Sequence, residues 1–153
     1  MKRKDKDIVW INEVDKDDIS LVGGKGANLG EMASFKLPVP RGFIVTASAY
    51  FQFLRENNLV GVIKKETQGI DLEKPETINR ASKKIKQAIK KGNISEELAK
   101  KIIFSYAKLG GLLKDAFVAI RSSATAEDLP TASFAGQQET FLNVKGETNV
   151  VKR

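Results

Sequence analysis

Apolar positions along the chain fall into short β-type runs and longer helical periods, separated by prolines, glycines and acidic clusters. Ile8 to Ile11 read as a buried strand behind a charged leader, and Asp15, Asp17 and Asp18 as a polar turn. From Lys25 to Phe35 the spacing predicts a helix, with Leu29, Met32 and Ala33 recurring at i, i+3 and i+4 on its apolar face. Leu37 to Phe43 (LPVPRGF) predicts a rigid extended connection, since proline biases the residue before it away from helix. Phe43 to Val45 reads as a strand, and Thr46 as the N-cap of a helix over ASAYFQFLREN whose core-facing residues are Tyr50, Phe51 and Leu54.

Residues 59–74 are of mixed character and end in a loop around Gln68-Gly69. Pro75 suits the first turn of a helix to about Lys91, burying Ile78, Ala81, Ile85, Ala88 and Ile89, and Gly92-Asn93 stops it. Ser95, followed by Glu96 and Glu97, starts the next helix, whose buried face is Leu98, Ile102, Ile103, Tyr106 and Leu109; Gly110-Gly111 ends it. Two β-type runs follow, Phe117 to Ile120 and Thr140 to Val144. Helix-rich with a small sheet, the pattern is of the α+β (mixed α/β) class, and one continuous domain over residues 1–153 is the economical division.

The connection between those last strands, within VAIRSSATAEDLPTASFAGQQETFLNV, changes the picture. The apolar run stops abruptly at Arg121; two serines, an acidic pair, a proline and a small-residue segment around Gly136 follow. Buried strands usually end in turn residues, not in Arg-Ser-Ser-Ala-Thr. A fixed cation followed by hydroxyls and a Gly-containing loop suits a polyanion better than an apolar ligand. Glu127 and Asp128 read as a turn or helix cap, not as metal ligands.

A second candidate is the Gly-rich turn VGGKGANLGEM. Gly23, Gly24 and Gly26 let the backbone come close to a ligand at a helix start, where free N–H groups and the dipole favour anions. Lys25 adds a full positive charge. The turn is not a Walker A box, because Lys25 is followed by Gly26 and not by Ser or Thr. Nor is it a dinucleotide fingerprint, because Gly24, Gly26 and Gly30 are spaced one residue too widely. These residues alone suit an exposed lysine on a Gly-rich helix start as well as they suit a phosphate site.

Composition mainly removes possibilities. No histidine and no cysteine are present, which closes imidazole, thiolate and Cys-zinc chemistry within this chain. No apolar run approaches the ~20 residues that span a membrane, and MKRKDKD has no apolar segment behind it, so a cytoplasmic location is the default. Net charge of +7 favours anionic partners without choosing among them. Arg80, Lys83, Lys84, Lys86, Lys90, Lys91, Lys100 and Lys101 lie in the two long helices, but stacking aromatics are not interleaved with them, so a solvated face is expected and nucleic acid is not.

Taken together, VGGKGANLGEM, LPVPRGFIVTASAYFQFL and AIRSSATAEDLPTASFAGQQETFLNV resemble the amino-terminal part of the phosphoenolpyruvate synthase and pyruvate phosphate dikinase family. The resemblance runs from about Ile8 to the last residue, with residues 59–109 matching only in character. It implies the first lobe of an ATP-grasp-like nucleotide-binding domain, which passes a diphosphate from ATP to a histidine on a separate swivelling domain. It also implies a barrel that hands phosphate to pyruvate, yielding phosphoenolpyruvate, AMP and inorganic phosphate. Residue by residue, Lys25 and Arg121 match the family's phosphate-contacting cations, and Gly136 and Thr140 match the glycine and threonine that line the nucleotide. Lys36 departs from the family's usual glycine, at a loop position.

The same resemblance implies that the adenine pocket, the Mg²⁺ ligands, a further arginine, the histidine domain and the barrel lie outside these 153 residues. The expectation is therefore an incomplete domain with ATP as ligand and no catalytic or metal-ligating residue of its own. The remaining domains, or a companion chain, are its expected partners, and no membrane is. Alone it should bind nucleotide weakly and turn nothing over. Two other readings are an equivalent lobe from a relative with another acceptor, and a stand-alone binding or regulatory module.

Overall fold

A computed structural model describes residues 6–110, 115–125 and 139–152. The architecture is α+β: helices predominate, and the strands form two separate two-stranded antiparallel sheets among the described residues. The chain divides into two compact units, residues 1–49 with 96–153, and residues 50–95. No helix among the described residues is long and apolar enough to cross a membrane.

In the larger unit, β1 (Ile8–Trp10) pairs with β2 (Phe43–Val45), placing Ile8 opposite Val45 and Trp10 opposite Phe43. The rings of that last pair meet edge-on with centroids 6.0 Å apart, a favoured aromatic geometry. Thr46 is buried and does two jobs. Its Oγ1 accepts from the Ala49 amide at 3.3 Å, the expected N-cap of α2 (Ala47–Glu56), and donates to the Lys6 carbonyl at 2.8 Å. Ahead of α1 (Ile19–Ser34) the three aspartates form a short 3₁₀ turn capped by Asp15, whose Oδ1 accepts from the Asp17 amide at 2.9 Å.

The hydrophobic core consists of Val9, Val14, Leu21, Val22 and Ala27, with Ile44 packed against it. Leu21, Val22 and Ala27 of this cluster flank Gly23 to Gly26 along the chain. The buried face of α1 differs from the one expected. Met32 is exposed, whereas Val22, Gly26 and Gly30, with Gly23 and Ala27 beside them, are buried. A side chain at Gly30 would collide with the Val14 carbonyl, so small residues are what let the helix lie this close. Apolar periodicity marks side chains that fill space and is silent where backbones approach each other.

The same unit continues with α5 (Glu96–Gly110), β3 (Val118–Arg121), β4 (Thr140–Val144) and α6 (Glu147–Lys152). Strands β3 and β4 pair with Val118 opposite Val144, Ile120 opposite Phe141 and Arg121 opposite Thr140. The register shifts between Val118 and Ile120, and Asn143, in the offset part of β4, has φ +56°, a conformation asparagine tolerates better than most residues. Tyr106, buried on α5, fastens this hairpin. Its hydroxyl donates to the Ala116 carbonyl at 2.7 Å and accepts from the Gly146 amide at 2.9 Å. Lys101 on α5 pairs with Asp7 at 2.6 Å and Glu97 at 2.5 Å. The hydrogen bond to Asp7, then that to Glu97, raises its pKa above the ordinary lysine value.

The smaller unit holds α3 (Leu59–Gln68) and α4 (Pro75–Lys91), with the division from the larger unit falling inside α2. Helix α3 occupies a stretch that reads as mixed, because Gly61 and the β-branched Val60, Val62 and Ile63 give it poor intrinsic helicity. Leu59 is buried and Glu66 pairs with Lys84 of α4 at 3.0 Å. The expected core clusters are thinner than their periodicity implies. Of Tyr50, Phe51 and Leu54 only Leu54 is buried, and on α4 only Ala81 is, with Ile78 exposed. Helices packed in so small a unit enclose little volume, so each buries a narrow stripe.

Tyr106→Phe keeps the ring in the core but leaves the Ala116 carbonyl and the Gly146 amide without their partner. Urea denaturation should register a loss of about 1–3 kcal/mol. For Lys101 the raised folded pKa means its contribution to stability is complete below the unfolded lysine value and is lost as pH rises through the folded one. Denaturation midpoints of wild type and Lys101→Met should therefore differ at neutral pH and converge above pH ~11.

Candidate functional site

Gly23 organises the site through its backbone. At φ 72° and ψ 169° it breaks α1 into a first turn and a second helical segment starting at Gly24. That region of conformational space is essentially closed to residues with a Cβ. The break aims the amides flanking Lys25 at the segment after β3. The Gly24 amide donates to the Ala124 carbonyl at 3.1 Å, and the Gly26 amide donates to Ser123 Oγ at 3.2 Å. A Cβ on Gly23 would lie 2.7 Å from the carbonyl carbon and oxygen of Ser123.

The two glycine- and serine-containing motifs therefore form one folded object, although they lie 97 residues apart at the Gly26–Ser123 bond. Ser123 acts as a helix cap supplied from a distant segment, satisfying an amide that the helix itself cannot. This corrects the reading of the glycines as room for a ligand's approach. At Gly23, Gly24 and Gly26 what approaches is the chain's own Ser123-Ala124 backbone and hydroxyl.

Strand alternation sets the other wall. Val118, Ile120, Phe141 and Val144 turn inward to different degrees, while Arg121 and Thr140 are exposed. Arg121 and Thr140 are direct cross-strand partners, and such partners project from the same face of an antiparallel pair. Two residues beyond Arg121 the chain enters its bonds to the Lys25 turn. Lys25, Arg121 and Thr140 are thus carried by one continuous stretch of hydrogen-bonded backbone. Gly136, Glu127 and Asp128 lie outside the described residues.

Lys25 is the second residue of the segment beginning at Gly24, at the positive end of its helix dipole, and Arg121 brings a second cation on the strand that leads into Ser123. Among the described residues no group of three or more acidic, histidine or cysteine side chains gathers to hold a metal ion. Sequence reasoning missed Ser123 and Ala124 as the partners of the glycines. Capping residues are recognised by their place immediately before a helix, and these stand far along the chain.

Comparison with known proteins gives a consistent result. The family profile for the pyruvate phosphate dikinase AMP/ATP-binding domain matches residues 19–153. A probable phosphoenolpyruvate synthase of Methanocaldococcus jannaschii is 48% identical over 149 residues, covering 96% of this chain and 12% of that protein. The phosphoenolpyruvate synthase of Aeropyrum pernix is 48% identical over 151 residues, covering 95% of this chain and 18% of its own length. That of Aquifex aeolicus is 43% identical over 150 residues, covering 94% and 18%. The chain therefore spans between 12% and 18% of the length of these relatives.

Gly23→Ala must either abandon the positive φ or push Ser123 away. Stability measured by urea denaturation should fall by at least about 2 kcal/mol. A change below about 0.5 kcal/mol would mean that the turn relaxes freely and does not hold the two motifs together.

Proposed function

The chain belongs to the pyruvate phosphate dikinase AMP/ATP-binding domain family, and from that premise we propose that it holds the phosphates of ATP in a phosphoenolpyruvate synthase. Lys25 and Arg121 are the residues assigned to the phosphate oxygens, and Thr140 and Gly136 to the nucleotide beside them. The observation that carries this reading is the paired hydrogen bonding of Gly24 and Gly26 to Ala124 and Ser123, which ties the lysine turn to the strand bearing Arg121.

Two cations on hydrogen-bonded backbone suit phosphoryl transfer, where charge moves along the phosphate chain and fixed positive groups need no rearrangement to follow it. Arginine offers a planar fork to two oxygens at once, and lysine a single mobile point charge. Together they can follow an oxygen that changes bonding during the transfer. In the proposed reaction the two terminal phosphoryl groups leave ATP as a unit for a histidine nitrogen, and AMP departs. Water then takes one phosphoryl group as inorganic phosphate, and the enol oxygen of pyruvate takes the other. No histidine occurs in these 153 residues, so the acceptor belongs to another part of the enzyme. Magnesium accompanying ATP is likewise assigned to ligands outside the described residues. The relatives' names as phosphoenolpyruvate synthases favour pyruvate over other final acceptors.

Isothermal titration of ATP into the chain and its variants tests the assignment. Lys25→Ala and Arg121→Ala should each weaken binding by roughly 1.5–3 kcal/mol, the scale of a charge-assisted hydrogen bond. Losses below about 0.5 kcal/mol at both positions would overturn it, because neither cation would then be near a phosphate.

A further inference from the structure

We propose that Ser123 is a positioning residue: its hydroxyl holds the lysine turn in the geometry that presents Lys25 to an anionic ligand, without touching that ligand itself. The inference rests on the nucleotide reading above and names a determinant that neither the family resemblance nor the motif spacing assigns.

Three observations converge on it. Ser123 Oγ accepts from the Gly26 amide at 3.2 Å, the next residue's carbonyl accepts from the Gly24 amide at 3.1 Å, and Gly23 packs so tightly on Ser123 that a methyl group does not fit. Lys25 is thus pinned through the residue on either side of it. Its long side chain has many rotamers, so a fixed backbone origin is the main device by which the fold can direct it. The hydroxyl acts on Lys25 through the Gly26 amide, and Arg121 lies two residues upstream on the same strand end. Of the Gly24 and Gly26 amide bonds that relate the lysine turn to the strand bearing Arg121, the one to the Ser123 hydroxyl is therefore the side-chain contribution.

This arrangement also changes which groups receive the ligand. A Gly-rich helix start usually offers its amides to phosphate. Here the Gly24 and Gly26 amides already have partners within the chain. The proposal is that phosphate is met by side-chain cations, with the amides spent on holding the frame.

The test uses the 153-residue chain with two anions, ATP and inorganic tripolyphosphate. Amide hydrogen exchange of Gly26 is followed in the ligand-free protein, and urea denaturation serves as the folding control. Ser123→Ala should raise Gly26 exchange and lower affinity for both anions about tenfold, the equivalent of one hydrogen bond. Ser123→Thr, which keeps the hydroxyl, should restore Gly26 protection and bring both affinities within about threefold of wild type. A Ser123→Ala affinity within twofold of wild type overturns the proposal, as does a loss that Ser123→Thr fails to recover. If Ser123→Ala does not fold, Ser123→Thr decides alone: wild-type-like protection and binding support the role, and protected Gly26 with lost binding refutes it. Absence of binding of either anion to the wild-type chain overturns the nucleotide reading itself and this role with it. Retained wild-type binding beside an unaffected Ser123→Ala overturns only this role.

Discussion

The structure depends on the clasp between the amides of Gly24 and Gly26 and the Ser123-Ala124 segment. Its geometric requirement is one residue at φ 72° and ψ 169°, which glycine meets without strain. From that single requirement much else follows. The break at Gly23 lets Leu21 and Val22 reach the core on one side while the second helical segment turns toward β3 on the other. The buried stripe of Gly26, Ala27 and Gly30 then brings α1 close to the Val14 carbonyl. A larger residue at any of these positions would lift the helix and open the clasp. The two hydrogen bonds are of modest individual worth, and their donors stand between the core residues Val22 and Ala27.

Charge is arranged around this frame with a clear division of roles. Many of the basic residues occupy α4 and α5, where Lys84, Lys100 and Lys101 pair with Glu66, Glu96, Glu97 and Asp7. Exposed pairs of this kind contribute little to stability. Lys25 and Arg121 stand elsewhere, one in the first turn of a helical segment and the other at the end of a strand.

Much of the fold was legible in the sequence where local chemistry and tertiary outcome agree. Thr46 before an apolar helical period, Pro75 at the start of α4, Glu96 and Glu97 at the start of α5, and the alternation from Thr140 to Val144 each specify an element from neighbours a few residues away. Their observed bounds match closely. Failures occurred where distance in sequence decided the outcome. Helix α3 has no side-chain N-cap and weak propensity; it buries Leu59 and pairs Glu66 with Lys84 of α4. Met32, Tyr50 and Phe51 have the right period and remain exposed. Of the candidate site, the two cations and Thr140 are named by resemblance to a family's motifs, and the structure adds that Arg121 and Thr140 are cross-strand partners. The partner of the Gly-rich turn could not be read, because no local rule tells a serine which distant helix it will cap.

The hairpin that carries Arg121 and Thr140 shows why site geometry and stability are joined in this chain. A two-stranded sheet is marginal in water on its own, and this one also carries an irregular register beside Asn143. It is held from outside: at one end by Tyr106, through Ala116 before β3 and Gly146 after β4, and at the other by the clasp just beyond Arg121. Both fastenings are hydrogen bonds to backbone, which fix position more sharply than apolar contact of the same area, since their strength falls steeply with distance and angle. Loosening either one leaves Arg121 chemically intact on a strand that no longer holds it in place. Loss of ligand affinity from such a change would therefore reach the candidate site through geometry, with every side chain proposed to contact phosphate still present.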